Sequence, residues 1–116
     1  LPVKCIAQEK TDDVKRAFQT ANAGLLDSYF GSSVTLNIPG KELQCSGDEA
    51  TEAMREFFAN QKVRSFDIKF EGEKNNSNFI IGTLITDSGI YRVNIFFKKD
   101  SGNYHIHLLR IEKEHE

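Results

Sequence analysis

The sequence predicts an α+β fold in which N-terminal helices pack on one face of a curved, mixed, mainly antiparallel sheet. Helical signals fill the first sixty residues, and strand-like segments then run from Arg64 to Lys113. Helices and strands that come from separate stretches of a chain are typical of α+β domains, with the helices on one sheet face. The predicted shape is a cone, and its concavity is large enough to consider as a ligand site.

Composition indicates one domain, which we place at residues 11–113, with an N-terminal arm at 1–10 and a charged tail at 114–116. A chain of 116 residues buries enough surface for a single core. Its formal charge is -2, and no basic stripe is present that would bind nucleic acid. No apolar run approaches the roughly 20 residues that span a bilayer. The chain begins at Leu1 rather than Met, which we interpret as a sign of processing and export.

Three helices are predicted from apolar spacing and capping residues. Thr11 has the character of an N-cap for the first helix, whose stripe is Val14, Ala17, Phe18 and Ala21. A short second helix is expected from Leu25 to Phe30, ended by Gly31. The segment from Ser46 to Glu49 has the form of a capping box and precedes a third helix, which ends after Phe58.

Strand signals follow with a period of two. A small hairpin is predicted at 34–38 and 43–45, and four longer strands begin near residues 63, 79, 90 and 104. If Asp87 pairs with Ile90 and Lys99 with Tyr104, the interior face carries Ile80, Leu84, Tyr91, Val93, Ile95, Phe97, Tyr104, Ile106, Leu108 and Arg110. The outer face then carries Phe79, Ile81, Thr83, Ile85, Arg92, Asn94, Phe96, Lys98, His105, His107, Leu109 and Ile111. One β-bulge in the last strand would move Arg110 to the outer face and put His107 and Leu109 on the interior face in its place.

The motifs resemble a known superfamily. They are Ala17-Phe18, Asn22-Ala23, Leu26, Tyr29-Phe30, Gly47, Ala50, Met54 and Phe57-Phe58, followed by the strands. This order is similar to the nuclear transport factor two-like superfamily, also called the cystatin-like or ketosteroid-isomerase-like cone. The ending, with Gly82-Thr83-Leu84, Tyr91-Arg92-Val93, Phe97-Lys98-Lys99 and residues 109–113, resembles a bacterial domain family of unknown function whose members are typically exported. The resemblance implies a periplasmic or secreted location.

The resemblance does not supply catalysis. In the isomerase branch a carboxylate base stands on the first strand near a proline, and the matching segment here is Thr35-Leu36-Asn37-Ile38-Pro39. Neither Asn37 nor Ile38 can take a proton from carbon, because a general base must be titratable. We therefore predict no catalytic residue and no cofactor.

The candidate pocket consists of interior aromatic and polar side chains: Tyr29, Phe58, Tyr91, Tyr104 and Arg110. A buried arginine needs an anionic partner, because burying an unpaired charge is costly. That partner is either a carboxylate of the chain, such as Glu112 or Glu52, or an anionic ligand at the mouth of the cone.

The outer sheet face is the candidate dimer interface, because it is too apolar for a fully solvated surface. Its candidate residues are Ile81, Thr83, Arg92, Asn94, Phe96, His107 and Leu109. His105 and His107 have a spacing that can grip a metal, but two ligands do not make a site, and no metal is predicted. Cys5 and Cys45 are either separate thiols or a disulfide.

Three functions stay open at this point. The first is a non-catalytic, exported domain that binds a small apolar or amphipathic ligand, or a protein segment, in its concavity. The second is a small hydrolase or isomerase that uses Tyr29, Tyr91, Tyr104 and Arg110. The third is a structural dimerisation module whose concavity is filled by Phe and Leu side chains.

Overall fold

Three helices cover one face of a six-stranded sheet in the computed structural model, which describes residues 6–114. The predicted α+β cone is confirmed. The elements in chain order are α1 (Ile6–Gln19), α2 (Gly24–Asp27), β1 (Phe30–Ile38), β2 (Lys41–Cys45), α3 (Gly47–Asn60), β3 (Val63–Lys74), β4 (Ser77–Thr86), β5 (Gly89–Asp100) and β6 (Asn103–Lys113).

The sheet has the order β2-β1-β6-β5-β4-β3. The hairpins β1–β2, β3–β4, β4–β5 and β5–β6 are antiparallel, whereas β1 pairs with β6 in parallel. This parallel contact joins the N-terminal hairpin to the C-terminal meander and makes the sheet mixed. The hairpin is therefore part of the main sheet: β1 lies inside it, and β2 forms one of its two edges.

Helix α1 starts earlier than predicted. Thr11 is not its N-cap, since the helix begins at Ile6 and Thr11 lies in its second turn. The Thr11 hydroxyl instead donates a hydrogen bond to the carboxylate of Glu71 on β3, over 3.0 Å. Residues 6–10, predicted as an arm, are helical because Lys10 stands four residues before Val14 and continues the buried stripe of the helix.

The third helix has the start predicted for it. The Ser46 side chain accepts a hydrogen bond from the Glu49 backbone, and the Glu49 carboxylate accepts one from the Ser46 backbone, completing the capping box. The second helix is shorter than expected. It ends at Asp27, and Phe30 already belongs to β1.

The register of β4 and β5 differs from the predicted one by two residues, because Thr86 pairs with Gly89 and Ile85 with Ile90. A shift of two residues leaves every side chain on its face. The predicted interior residues of these strands are therefore buried, namely Ile80, Leu84, Tyr91, Val93, Ile95 and Phe97.

A β-bulge in β6 reverses the predicted faces near its end. Phe97 pairs with Ile106 and Phe96 with Leu108, so that His107 is the extra residue. Beyond the bulge, Leu109 is fully buried, whereas Arg110 pairs with Asn94 of the outer face. The prediction that Arg110 is an interior residue and Leu109 an outer one is therefore wrong. Leu108 and Ile111 exchange faces for the same reason.

A second irregularity, in β3, exposes Phe70. Ile68 pairs with Gly82 and Phe70 with Ile81, so Lys69 is the extra residue. Phe70 consequently joins the outer face, where its side chain is 67% exposed. A strict period of two along β3 would instead put Phe70 on the same face as Phe66 and Ile68.

Stacked aromatic rings fill the space between the helices and the sheet. The Phe18 ring of α1 stacks on Phe66 of β3, with centroids 4.9 Å apart, and meets Phe58 of α3 edge-on at 5.5 Å. Phe57 of α3 meets the ring of Tyr91 edge-on at 5.8 Å. Two helices, α1 and α3, and two strands, β3 and β5, are thus connected through aromatic contacts.

Gly82 provides a test of this packing. A Cβ atom at Gly82 would lie 2.5 Å from the Phe66 ring and 2.9 Å from the Asp67 carbonyl oxygen. We expect Gly82→Ala to lower the free energy of unfolding by about 1–3 kcal/mol, because the Phe66 ring must shift within a filled core. Urea denaturation would measure the loss. Gly31→Ala is the matched control, since the nearest atom to its added Cβ is 3.5 Å away. Equal stability of both variants would contradict the prediction.

Candidate functional site

The predicted pocket residues do not converge on one cavity. Tyr104 pairs with Lys99, eight residues along β5 from Tyr91. At about 3.3 Å per residue, the two tyrosines lie roughly 26 Å apart along the sheet. The Tyr91 hydroxyl lies 3.2 Å from the Ser88 hydroxyl and 3.5 Å from the Gln61 side-chain oxygen, so its polar tip contacts the β4–β5 turn.

Tyr29 and Phe58 are also engaged by the protein itself. The Tyr29 hydroxyl donates a hydrogen bond to the Asp13 carboxylate over 2.5 Å. Burial, together with that carboxylate, raises the pKa of Tyr29 well above its usual value. Phe58 is buried between Phe18 and Phe57. Neither side chain presents a free polar or aromatic surface to a shared concavity.

Arg110 lies on the outer face, where its side chain is 43% exposed. Its Nε is 3.5 Å from a carboxylate oxygen of Glu112. This is the intramolecular pair that the sequence left open as the alternative to an anionic ligand. An exposed pair of this kind contributes little to stability, because water and salt screen both charges.

A surface groove of about 590 Å³ lies between β2 and α3, outside the cone. Both cationic side chains that line it are already paired, Lys41 with Glu56 at 3.0 Å and Arg55 with Glu52. None of the predicted pocket residues lines this groove.

The outer sheet face carries the exposed apolar surface of the described chain. Its apolar side chains, from three strands of the meander and the exposed edge strand, are Phe70, Phe79, Ile81, Ile85, Ile90, Phe96 and Leu108. Phe70 and Ile90 are 67% and 41% exposed, and the other five are partly buried. Thr83, Arg92 and Asn94 share this face. We name these ten residues the outer apolar face.

Both arginines of this region are paired within the chain. Arg92 lies 3.5 Å from a carboxylate oxygen of Glu114, and Arg110 is 3.5 Å from Glu112. The positive charges of these two arginines are therefore balanced by carboxylates of the same chain. A nearly neutral apolar surface can meet a like surface without strong electrostatic repulsion.

His105 and His107 lie at one end of this sheet face, in a groove of about 510 Å³ beside the start of β1. Within residues 6–114, no cluster of three or more His, Cys, Asp or Glu side chains is arranged to hold a metal ion. The buried His105 Nδ1 atom has no hydrogen-bond partner. Burial and the nearby Lys98 ammonium lower the pKa of His107.

Two further expectations concern the N-terminal region and membranes. Cys45 is buried, and burial raises the pKa of its thiol. Cys5 lies outside the described residues, so the choice between separate thiols and a disulfide stays open, and a thiol count on the unreduced protein would decide it. Among the described helices, none has the length and apolar character needed to cross a bilayer.

Sequence reasoning missed Lys10, which is only 1% exposed. Its Nζ donates a hydrogen bond to the Asn78 side-chain oxygen over 2.7 Å and lies over the rings of Phe97 and Tyr104. Burial lowers the pKa of Lys10, and Glu71 and Glu73 partly offset that effect. The signal was present in the sequence, because Lys10 extends the stripe of Val14 by one helical turn.

The comparisons with known proteins agree with this architecture. A family model described as "Domain of unknown function (DUF4783)" matches residues 11–112. A DUF4783 family protein from Bacteroides ovatus is 39% identical, with a TM-score of 0.84, covering 90% of this chain and 94% of that one. A DUF4783 family protein from Bacteroides uniformis is also 39% identical, with a TM-score of 0.85 and coverages of 90% and 97%.

More distant structures share the fold alone. An NTF2-like protein of unknown function from Cytophaga hutchinsonii is 12% identical, with a TM-score of 0.66, covering 98% of this chain and 95% of that one. None of the curated proteins matches this chain.

His107 makes stability depend on pH in a defined direction. Because its pKa is lower in the folded chain than the usual 6.5, the unfolded chain binds this proton first as pH falls. The stability contributed by neutral His107 is therefore present above about pH 6.5 and is lost as pH falls towards the folded pKa. We expect His107→Asn to lose less unfolding free energy than the unaltered chain between about pH 8 and about pH 5. Urea titrations at one protein concentration would measure this, and equal losses in both proteins would contradict it.

Proposed function

Because this chain belongs to the DUF4783 family and has a nuclear transport factor two-like fold, we propose that it is a non-catalytic assembly domain. Its partner is a second copy of the same chain, bound through the outer apolar face. The observation that carries the proposal is the 67% exposure of Phe70 among six further apolar side chains on that face. On the surface of a folded protein, a large exposed apolar patch marks an interaction site.

The size of the face favours a stable pair. Strands β3 to β6 lie about 4.8 Å apart and extend for about ten residues, so the face measures roughly 19 by 33 Å. This is an area of roughly 600 Å² on each copy, so a pair would bury roughly 1,200 Å² in total, which is the lower end of the range for specific interfaces. Phe79, Ile81, Ile85 and Phe96 lie on the inner strands β4 and β5 of this face, and Phe70 lies on the edge strand β3.

The charge pattern favours a second copy over a strongly charged partner. Arg92 and Arg110 are each held near a carboxylate of their own chain, Glu114 and Glu112. Two identical faces would therefore meet without an unpaired arginine on either side. A two-fold interface needs such self-complementarity, because each residue patch contacts its own copy or the patch beside it.

The interior supports assembly more than ligand binding. The candidate pocket tyrosines point to separate ends of the sheet, and Arg110 faces outward. Aromatic rings of α1, α3 and β3 occupy the centre of the cone. An amphipathic ligand in the concavity is the second candidate function, and it would require Phe18 or Phe58 to move.

Export to the periplasm or out of the cell is part of the proposal and rests on the family resemblance. Cell fractionation of the full-length protein with an antibody to this domain would test it. Recovery only from the cytoplasm would contradict it.

The dimer is tested by a charge placed at Phe70. We expect Phe70→Glu to weaken self-association by about tenfold or more, because an ionised carboxylate would be buried in the interface without a partner. Light scattering coupled to size exclusion would report the mass across micromolar concentrations. The variant should remain folded, since its side chain is 67% exposed in the single chain.

Ala59→Glu is the matched control, because Ala59 is exposed on α3, away from the outer apolar face. This variant should associate as the unaltered chain does. A monomeric mass for the unaltered chain at all micromolar concentrations would overturn the proposed function, as would equal association of the Phe70 and Ala59 variants.

A further inference from the structure

Lys10 is the most unusual charged residue of the described chain. Lysine is almost never fully buried without a partner, because its ammonium loses its hydration. Here the side chain is 1% exposed, while the neighbouring Gln8 and Glu9 on the same helix are exposed. Helix α1 therefore inserts a single cation into the interior at the end of the sheet near the β3–β4 turn.

The surroundings of this ammonium have the composition of a cation site. The Asn78 side-chain oxygen accepts its hydrogen bond over 2.7 Å. The centroids of the Phe97 and Tyr104 rings lie 4.5 Å and 5.2 Å from Nζ, within the range of cation–π attraction. These two rings also meet each other edge-on, with centroids 6.4 Å apart, so they form adjacent walls.

Carboxylates add a favourable field. Glu71 and Glu73 lie on the inner side of β3, where they pair with Ile80 and Asn78 of β4. Their negative charges favour the protonated form of Lys10 and raise its pKa. A second cation, Lys99, lies 5.6 Å from the Tyr104 ring. One oxygen, two ring faces and two nearby acids suit an ammonium at the end of an unbranched alkyl chain.

We propose that Asn78, Phe97 and Tyr104 form a binding site for the ammonium group of a small linear primary amine, and that Lys10 occupies this site as a ligand tethered to α1. The three residues belong to β4, β5 and β6, so the site is built on the rigid sheet and not on the helix. A free amine must compete with Lys10, whose tether gives it a high effective concentration. The site becomes open to a free amine when the Lys10 side chain is absent or withdrawn.

The experiment uses Lys10→Ala, which removes three methylenes and the ammonium. The missing atoms correspond to n-propylammonium, so that compound is the probe. We expect it to raise the Tm of Lys10→Ala by about 4 °C or more at about ten times its Kd, since it binds only the folded chain. Sodium chloride at equal ionic strength and neutral 1-propanol should each give less than half of that rise.

Two controls separate the site from a general effect of the amine. The unaltered chain and Lys10→Met should not respond, because a side chain fills the space in both. If Lys10→Ala does not fold alone, n-propylammonium should restore its folded circular dichroism spectrum, and 1-propanol should not. Equal effects of the amine and the alcohol, or no effect of the amine, would overturn the proposal.

Discussion

The β-bulge at His107 sets the direction of every side chain in the second half of β6, and both sides of the sheet depend on it. Strand β6 lies between β1 and β5, so one extra residue in β6 shifts its register with both neighbouring strands. The bulge turns Leu109 and Ile111 into the core and Arg110 out to solvent. Without it, Leu108 and Arg110 would replace Leu109 and Ile111 in the core, so that a guanidinium would be buried and one aliphatic side chain lost, at a cost of several kcal/mol.

The same bulge helps to explain why the cone is filled and not open. Leu109 stands beside Ile95 of β5, and both are fully buried. The helices add Phe18, Phe57 and Phe58 from the opposite side. With the inner face apolar and closely packed, the polar chemistry of the chain is displaced to the ends of the sheet and to its outer face. A filled cone with an apolar outer face is suited to assembly.

Local signals were enough to predict the element order, the capping box at Ser46 and the faces of β4 and β5. Those features depend on short-range rules, namely hydrophobic period, capping residues and turn residues. The bulges at Lys69 and His107 could not be predicted in this way, since a bulge depends on which partner residues pair across the sheet. The bulge at Lys69 puts Phe70 on the outer face, and the bulge at His107 reverses the predicted faces of Arg110 and Leu109. Lys10 was missed because Thr11 was taken as the N-cap of α1, which put Lys10 outside the helix.

Lys10 is buried and Arg110 is exposed, although the sequence predicts an interior arginine. The number and geometry of the hydrogen-bond donors on the two side chains explain this outcome. A guanidinium carries five N–H donors in a fixed plane, whereas an ammonium carries three that rotate freely. The interior beside Tyr104 offers one side-chain oxygen, from Asn78, and two ring faces. These partners satisfy most of an ammonium but would leave most guanidinium donors unpaired. Lys10 is therefore the cation that the interior can accept, and Arg110 belongs where water and Glu112 complete its hydrogen bonds.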